Sequence, residues 1–268
     1  MNILQALILG LVQGTTEFIP ISSSGHLVLI PWLFGWPEPG LAFDAVLHLG
    51  TLLAVLIAFR RDWWALAWAW VGSIRCRERS AEARLAWWIV IATIPAALMG
   101  LVLEKQFEAL FSQPRSVALF LLLTGAWLWL AERLGRRERR AEDLQAWEAV
   151  AVGVAQGLAI APGISRSGAT IGAGMLLGLK REAAARFSFL LSAPVILGAG
   201  LLQVRKLLGV PNLAAEALPL ALGFVVAAVT GVLCIRALLK YVQGGRMTLF
   251  AIYCWFVGLI TLLLAVRG

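Results

Sequence analysis

Charge is scarce in this chain: of 268 residues only 14% are Asp, Glu, Lys or Arg, while 60% are hydrophobic. Soluble domains are about 45–50% apolar, so this composition excludes a water-soluble globular protein and makes a bilayer the solvent. Paired cysteines are missing as well. Cys76, Cys234 and Cys254 are scattered with no shared spacing, which excludes a disulfide framework and a cysteine zinc site. The N-terminus lacks the charged start and small-residue cleavage site of a secretory signal, so the first apolar segment is expected to stay in the mature chain.

What is there is apolar and segmented. Charge-free runs at 85–103, 116–131, 187–204, 217–235 and 247–266 approach the roughly 20 residues of a spanning helix. Shorter apolar stretches at 2–16, 18–37, 45–59, 149–165 and 167–179 are interrupted by Gly, Pro and Ser. The expected fold is therefore an all-α polytopic membrane protein of about ten membrane segments, forming one integral membrane domain over 1–268. The net charge of +8 does not point to nucleic acid, because the basic residues fill short connections between apolar runs rather than one soluble face. Arg75, Arg77, Arg79 and Arg84 occupy one such loop, and Arg133, Arg136, Arg137, Arg139 and Arg140 another. With two spans between them, both are expected on the cytoplasmic side, as solvated charges without a chemical role. Many of the twelve tryptophans flank apolar runs, as at Trp63, Trp64, Trp87 and Trp88, where amphipathic rings favour the membrane interface.

The chain also matches itself. Gly10-Leu11-Val12-Gln13-Gly14 aligns with Gly153-Val154-Ala155-Gln156-Gly157, 143 positions later, and the same offset brings Ser22-Ser23-Ser24-Gly25 onto Ser165-Arg166-Ser167-Gly168. The reading is a duplication, with one repeat over about 1–140 and the other over about 145–268. Corresponding broken hydrophobic segments in two halves point to a binding site near the midplane, since irregular backbone at that depth survives only inside protein or along a polar cavity. Both blocks are accordingly expected to be re-entrant helix-loop-helix elements meeting at the centre. Periodicity leaves open whether the halves are parallel or inverted.

The candidate chemistry lies in these blocks. Gln13 and Glu17 share a face if 3–18 is helical, and an ionised Glu17 in mid-membrane requires a partner or a purpose. A solvated, idle Glu17 at a helix end is the plain alternative. Ser22, Ser23, Ser24, Gly25 and His26 form a polar loop able to present hydroxyls and backbone N–H groups. Either Ser22 or Ser23 would lie beside His26 in a helix-like turn, and His26 could serve as base, acid or nucleophile. Helix capping by the serines, with His26 on a backbone carbonyl, is the competing reading. In the second block Arg166 stands among glycines and hydroxyls in the otherwise uncharged stretch 149–179. Its guanidinium fork suits bidentate phosphate binding, and a following helix N-terminus would add backbone donors. An ion pair between Arg166 and Glu17 is compatible with that role. Asp44 and His48, four apart, are further candidates for supporting the site.

Taken together, QGTTEFIPISSSGHL (Gln13–Leu27), PGISRSGAT (Pro162–Thr170) and FDAVLHLGTLLAVL from Phe43 resemble the bacterial undecaprenyl pyrophosphate phosphatases, also called bacitracin resistance proteins. The resemblance spans essentially the whole chain. It implies inverted repeats with two re-entrant regions in the bacterial inner membrane, and a site open to the periplasm that removes the terminal phosphate of undecaprenyl pyrophosphate, recycling the carrier lipid for peptidoglycan synthesis. By the same resemblance the acidic motif falls on Gln13 and Glu17, the serine and histidine on Ser23 and His26, and the second motif on Ser165, Arg166 and Thr170.

Gln13 leaves one carboxylate where the family pattern often has two, so a divalent cation, Mg²⁺ or Ca²⁺, would arrive largely with the pyrophosphate and rest on Glu17 and Gln13. Ser23 is the expected nucleophile and His26 its proton acceptor, with a phosphohistidine at His26 or an activated water as alternatives. Arg166 is expected to bind the diphosphate, with Ser22, Ser165, Gly168 and Thr170 adding donors. The partners expected are this lipid and the membrane; a homodimer is admissible, nucleic acid is not. Gly172 stands where the type 2 phosphatidic acid phosphatases need their second histidine, which argues against that class. A transporter or flippase that moves a polyprenyl phosphate unchanged is the remaining competitor.

Overall fold

The structure is a computed structural model that describes residues 2–77, 79–108, 113–207 and 213–267. Among them every regular element is helical: α1 (Ile3–Thr16), α2 (Ser23–Phe34), α3 (Leu41–Ala58), α4 (Arg60–Arg75), α5 (Ala81–Glu108), α6 (Pro114–Leu134), a short 3-10 turn (Ala141–Asp143), α7 (Ala146–Leu158), α8 (Arg166–Leu176), α9 (Arg181–Leu207), α10 (Leu213–Gly244) and α11 (Thr248–Arg267). Five are long and apolar enough to cross a membrane, through Ala81–Val102, Pro114–Leu134, Arg181–Leu201, Glu216–Gly244 and Thr248–Val266. These coincide with the five charge-free runs. The chain is thus a multi-pass helical membrane protein.

The count of ten segments needs refinement. Each of the ten apolar stretches contains a helix, yet α1, α2, α7 and α8 have only 14, 12, 13 and 11 residues. At 1.5 Å per residue none reaches across a hydrocarbon core of about 30 Å. The spans number five, or six if α3 and α4, bent by 78° at their junction, are taken as one. Helix α4 lies outside the apolar stretches because Arg60, Arg61 and Asp62 interrupt the pattern; it buries Leu66 and Ala69 and exposes Trp64 and Trp68.

The short helices are halves of hairpins. Both ends of the α7–α8 element meet at Arg139, whose guanidinium donates to Glu148 in the first turn of α7 and to the Leu177 carbonyl that follows α8. That element therefore enters and leaves on one side; α1 and α2 also pack against each other. Arg139 is accordingly no idle loop charge. Nor is Arg137, which joins Arg181 on the buried Glu132 carboxylate, while the Met247 N–H donates to the same group. The two arginine-rich loops do share a side: the Arg84 side chain donates to the Glu142 carbonyl.

The repeated glycines hold the halves together. On α1, Gly10 and Gly14 let α10 approach so closely that a Cβ on Gly14 would lie 1.9 Å from Thr230 Oγ1. On α7, Gly153 and Gly157 do the same for α5, and a Cβ on Gly153 would lie 2.2 Å from the Ala92 carbonyl oxygen. Small residues spaced four apart are what close helix packing in a membrane requires. Helices α6 and α11, and α3 and α9, also pair along their lengths. Every one of these pairs takes one helix from each half, so the halves interlock around the site.

Candidate functional site

Two broken helices bring the polar blocks together. Helix α1 stops at Thr16, with Glu17 as its last αR residue, short of the expected 18. Helix α2 starts behind Ser22, whose Oγ accepts from the Gly25 N–H, and α8 starts behind Ser165, whose Oγ accepts from the Gly168 N–H at 3.0 Å. Two helix N-termini, each an anion-favouring end, open on the same place. Each helix start touches the loop before the other: Ser167 Oγ of α8 donates to the Ile19 carbonyl, and a Cβ on Gly25 of α2 would lie 3.3 Å from Gly163 Cα. Thr124 of α6 fixes the second loop by donating to the Gly163 carbonyl and accepting from the Ser165 N–H. Ser22 sits at φ 70, a conformation that costs a non-glycine residue on the order of 1–3 kcal/mol and marks functional sites more often than ordinary turns.

Glu17, 5% exposed, is the hub. Its Oε1 accepts from Arg166 at 2.5 Å. Its Oε2 accepts from Ser23 Oγ and from Gln13 Nε2 at 3.1 Å, and His48 Nε2 stands 3.8 Å away. The idle, solvated Glu17 is excluded by this geometry. Of the sequence candidates, Gln13, Glu17, Ser23 and Arg166 form one cluster, and His48 of α3 faces it. Two atoms of the cluster, Arg166 Nη1 and Gln13 Oε1, are buried with no hydrogen-bond partner among the described residues. Desolvated donors and acceptors left unpaired are costly, so both are poised to take a ligand.

The remaining candidates build the walls. Ser22 and Ser165 cap their helices, and Thr170, one turn into α8, donates to the Arg166 carbonyl at 2.9 Å and shares a hydrogen bond with Ser188 of α9. His48 binds the backbone carbonyl of Asp44 through Nδ1, not its carboxylate, whose Oδ1 is buried and unpartnered among the described residues. The pairing of Ser23 with His26 does not occur. His26 Nδ1 bonds the Ser22 carbonyl at 2.7 Å, and Nε2 bonds the hydroxyl of Tyr253 on α11 at 2.8 Å. Ser23 donates to Glu17 instead. Sequence reasoning missed Tyr253, a hydroxyl inside the run 247–266 that only the fold brings to His26.

Among the described residues no group of three His, Cys, Asp or Glu is placed to hold a metal. The Gln13 and Glu17 oxygens fit a hard cation that keeps water and shares phosphate oxygens, and do not make an all-protein cage.

Known proteins are similar to this chain over nearly its whole length. The undecaprenyl-diphosphatase of Moorella thermoacetica is 49% identical over 254 residues, 94% of each chain. That of Pelobacter propionicus is 48% identical over 257 residues, 94% of this chain and 93% of its own, and that of Methanosphaera stadtmanae is 44% identical over 277 residues, 99% of each. A family profile described as bacitracin resistance protein BacA matches residues 6–260 and so takes in both broken-helix blocks and every side chain of the Glu17 cluster; this chain belongs to that family.

Proposed function

We propose that this chain, like the relatives named undecaprenyl-diphosphatase, acts on undecaprenyl diphosphate, hydrolysing it to undecaprenyl phosphate and inorganic phosphate, and so returns the carrier lipid to cell-wall synthesis. The observation that carries the reading is Glu17 held between Ser23 on one oxygen and Arg166 on the other.

In the proposed mechanism the diphosphate enters between the starts of α2 and α8. Arg166 keeps one arm on Glu17 and offers Nη1 to a phosphate oxygen; the N–H groups of both first turns face the same charge. Ser22, Ser165, Gly168 and Thr170 serve the phosphate by fixing these turns. Ser23 Oγ attacks the terminal phosphorus and passes its proton to Glu17, while the bond to the bridging oxygen breaks and undecaprenyl phosphate leaves with that electron pair. Water then cleaves the phosphoserine to inorganic phosphate. Because phosphoryl transfer is largely dissociative, a strong base is unnecessary, and alignment of the hydroxyl with opposing positive charge does most of the work. A base paired with Arg166 is sufficient for that. His26 handles a proton at the lipid's diphosphate end.

Gln13 Oε1 and Glu17 would hold Mg²⁺ or Ca²⁺. When bound, the ion offsets charge on the diphosphate.

We place the chain in the bacterial inner membrane with its arginine loops cytoplasmic. Helix α7 carries the chain from Ala146, beside those loops, 13 residues or about 20 Å toward the site, which supports a site opening to the periplasm. A flippase would need Arg166 but not a hydroxyl held on a carboxylate. Lipid products recovered after incubation with purified protein separate the readings: hydrolysis converts the diphosphate to the monophosphate in step with free phosphate, whereas a carrier returns it intact.

A further inference from the structure

His26, in the first turn of α2, is a titratable side chain that the Glu17 cluster does not use. Both of its ring nitrogens are nevertheless occupied. The Ser22 carbonyl can only accept, so Nδ1 bears a hydrogen, and Nε2 of the neutral ring is then an acceptor to which the Tyr253 hydroxyl donates. The two rings lie nearly parallel, 16° apart, with centroids separated by 5.7 Å. No hydrogen bond joins either nitrogen to Ser23 or Glu17 among the described residues.

Tyr253 reaches this position from a fixed backbone. Its neighbour Cys254 is fully buried with Ile21, Leu29, Val117 and Leu121, and Phe250 packs against the same cluster. Tyr253 is 39% exposed, beside the exposed Ile252 and Phe256, so it lies where the apolar surface of α11 meets the site. A phenol at such a boundary keeps its ring in an apolar setting and its hydroxyl on a polar partner.

We propose that Tyr253 is a positioning residue for the reaction: with Ser22 it holds His26 in one tautomer and one orientation, so that Nε2 is the atom exchanging a proton with the lipid diphosphate. This inference rests on the hydrolytic reading. The Tyr253 hydroxyl keeps the Nε2 lone pair in one direction; along it a protonated phosphate oxygen of the incoming lipid takes the hydroxyl's place, gives its proton to Nε2 and receives it back as undecaprenyl phosphate leaves. Losing the hydroxyl frees the ring to turn.

The test uses the full chain in detergent with ¹⁵N-labelled histidine. It contains two histidines, so a His48→Gln sample assigns the spectrum. The expected wild-type spectrum has His26 protonated at Nδ1 and accepting at Nε2, and Tyr253→Phe, which keeps the stacked ring, moves the Nε2 resonance. In phosphate-release assays Tyr253→Phe should lower kcat about ten-fold, the weight of one neutral hydrogen bond, with KM changed by less than about two-fold. Added to His26→Ala, it should slow the enzyme no further. A wild-type His26 protonated at Nε2 alone, an Nε2 resonance unmoved in Tyr253→Phe, or a full ten-fold loss in the His26→Ala background would each overturn the proposal. Wild type that releases no phosphate would instead sink the hydrolytic reading, and the spectra would still decide whether Tyr253 holds His26.

Discussion

Arg166 and Glu17 stand 149 positions apart in the chain and 2.5 Å apart in the fold, one from each half. The second arm of the guanidinium, Nη1, is buried with no partner among the described residues. One arginine thus binds the carboxylate and retains a desolvated donor for an anion, which a lysine, a single point charge, cannot do. Arg166→Lys should lower kcat/KM about thirty-fold, equivalent to about 2 kcal/mol for a hydrogen bond to a charged group. Its melting temperature in detergent should stay close to wild type. Equal losses of activity and folding would make the pair merely structural.

The glycine contacts between the halves allow a sharper test of packing. Gly153→Ala drives a methyl into the Ala92 carbonyl oxygen, whereas a Cβ on Gly198 of α9 meets nothing within 4 Å. The first change should destabilise the protein by about 1–3 kcal/mol, the usual cost of overpacking. The second should be neutral, or stabilising by up to about 1 kcal/mol. Unfolding in mixed detergent compares the two directly.

Glu132 is another buried carboxylate with several donors, accepting from Arg137, Arg181 and the Met247 N–H. It ties α6, α9 and the start of α11 together on the arginine-rich side. Glu132→Ala strands charges that were paired, and should destabilise by about 3 kcal/mol. The phosphate-release rate per folded molecule should stay the same, since no side chain of the site is touched. A catalytic defect in folded Glu132→Ala would show that this clamp reaches the chemistry.

How much of this was legible in the sequence follows from what each interaction depends on. Spans announce themselves as runs without charge, and broken helices as Gly, Pro and Ser inside apolar stretches; both are local properties. The meeting of Glu17 with Arg166 was foreseeable because two opposite charges in apolar surroundings need each other. Helix α4 was missed because Arg60, Arg61 and Asp62 break the apolar pattern while the backbone stays helical. Arg137 and Arg139 looked like solvated loop charges, since their partners Glu132 and Glu148 are fixed by tertiary structure. The pairing of Ser23 with His26 failed for a geometric reason: residues three apart in a helix are neighbours, yet the ring turned to the carbonyl of Ser22 behind it and to Tyr253, 227 positions away.

The most direct test of the central claim is phosphate release from undecaprenyl diphosphate by the purified protein in detergent, with Mg²⁺ or Ca²⁺ and with EDTA, comparing wild type with Glu17→Ala, Ser23→Ala and Arg166→Ala. Wild type should release phosphate and lose that activity in EDTA, and each folded variant should fall by at least about a hundred-fold, the scale of removing a nucleophile, a proton acceptor or a charge-stabilising group. Wild-type rates in Ser23→Ala, or binding of the lipid without phosphate release by wild type, would contradict the account.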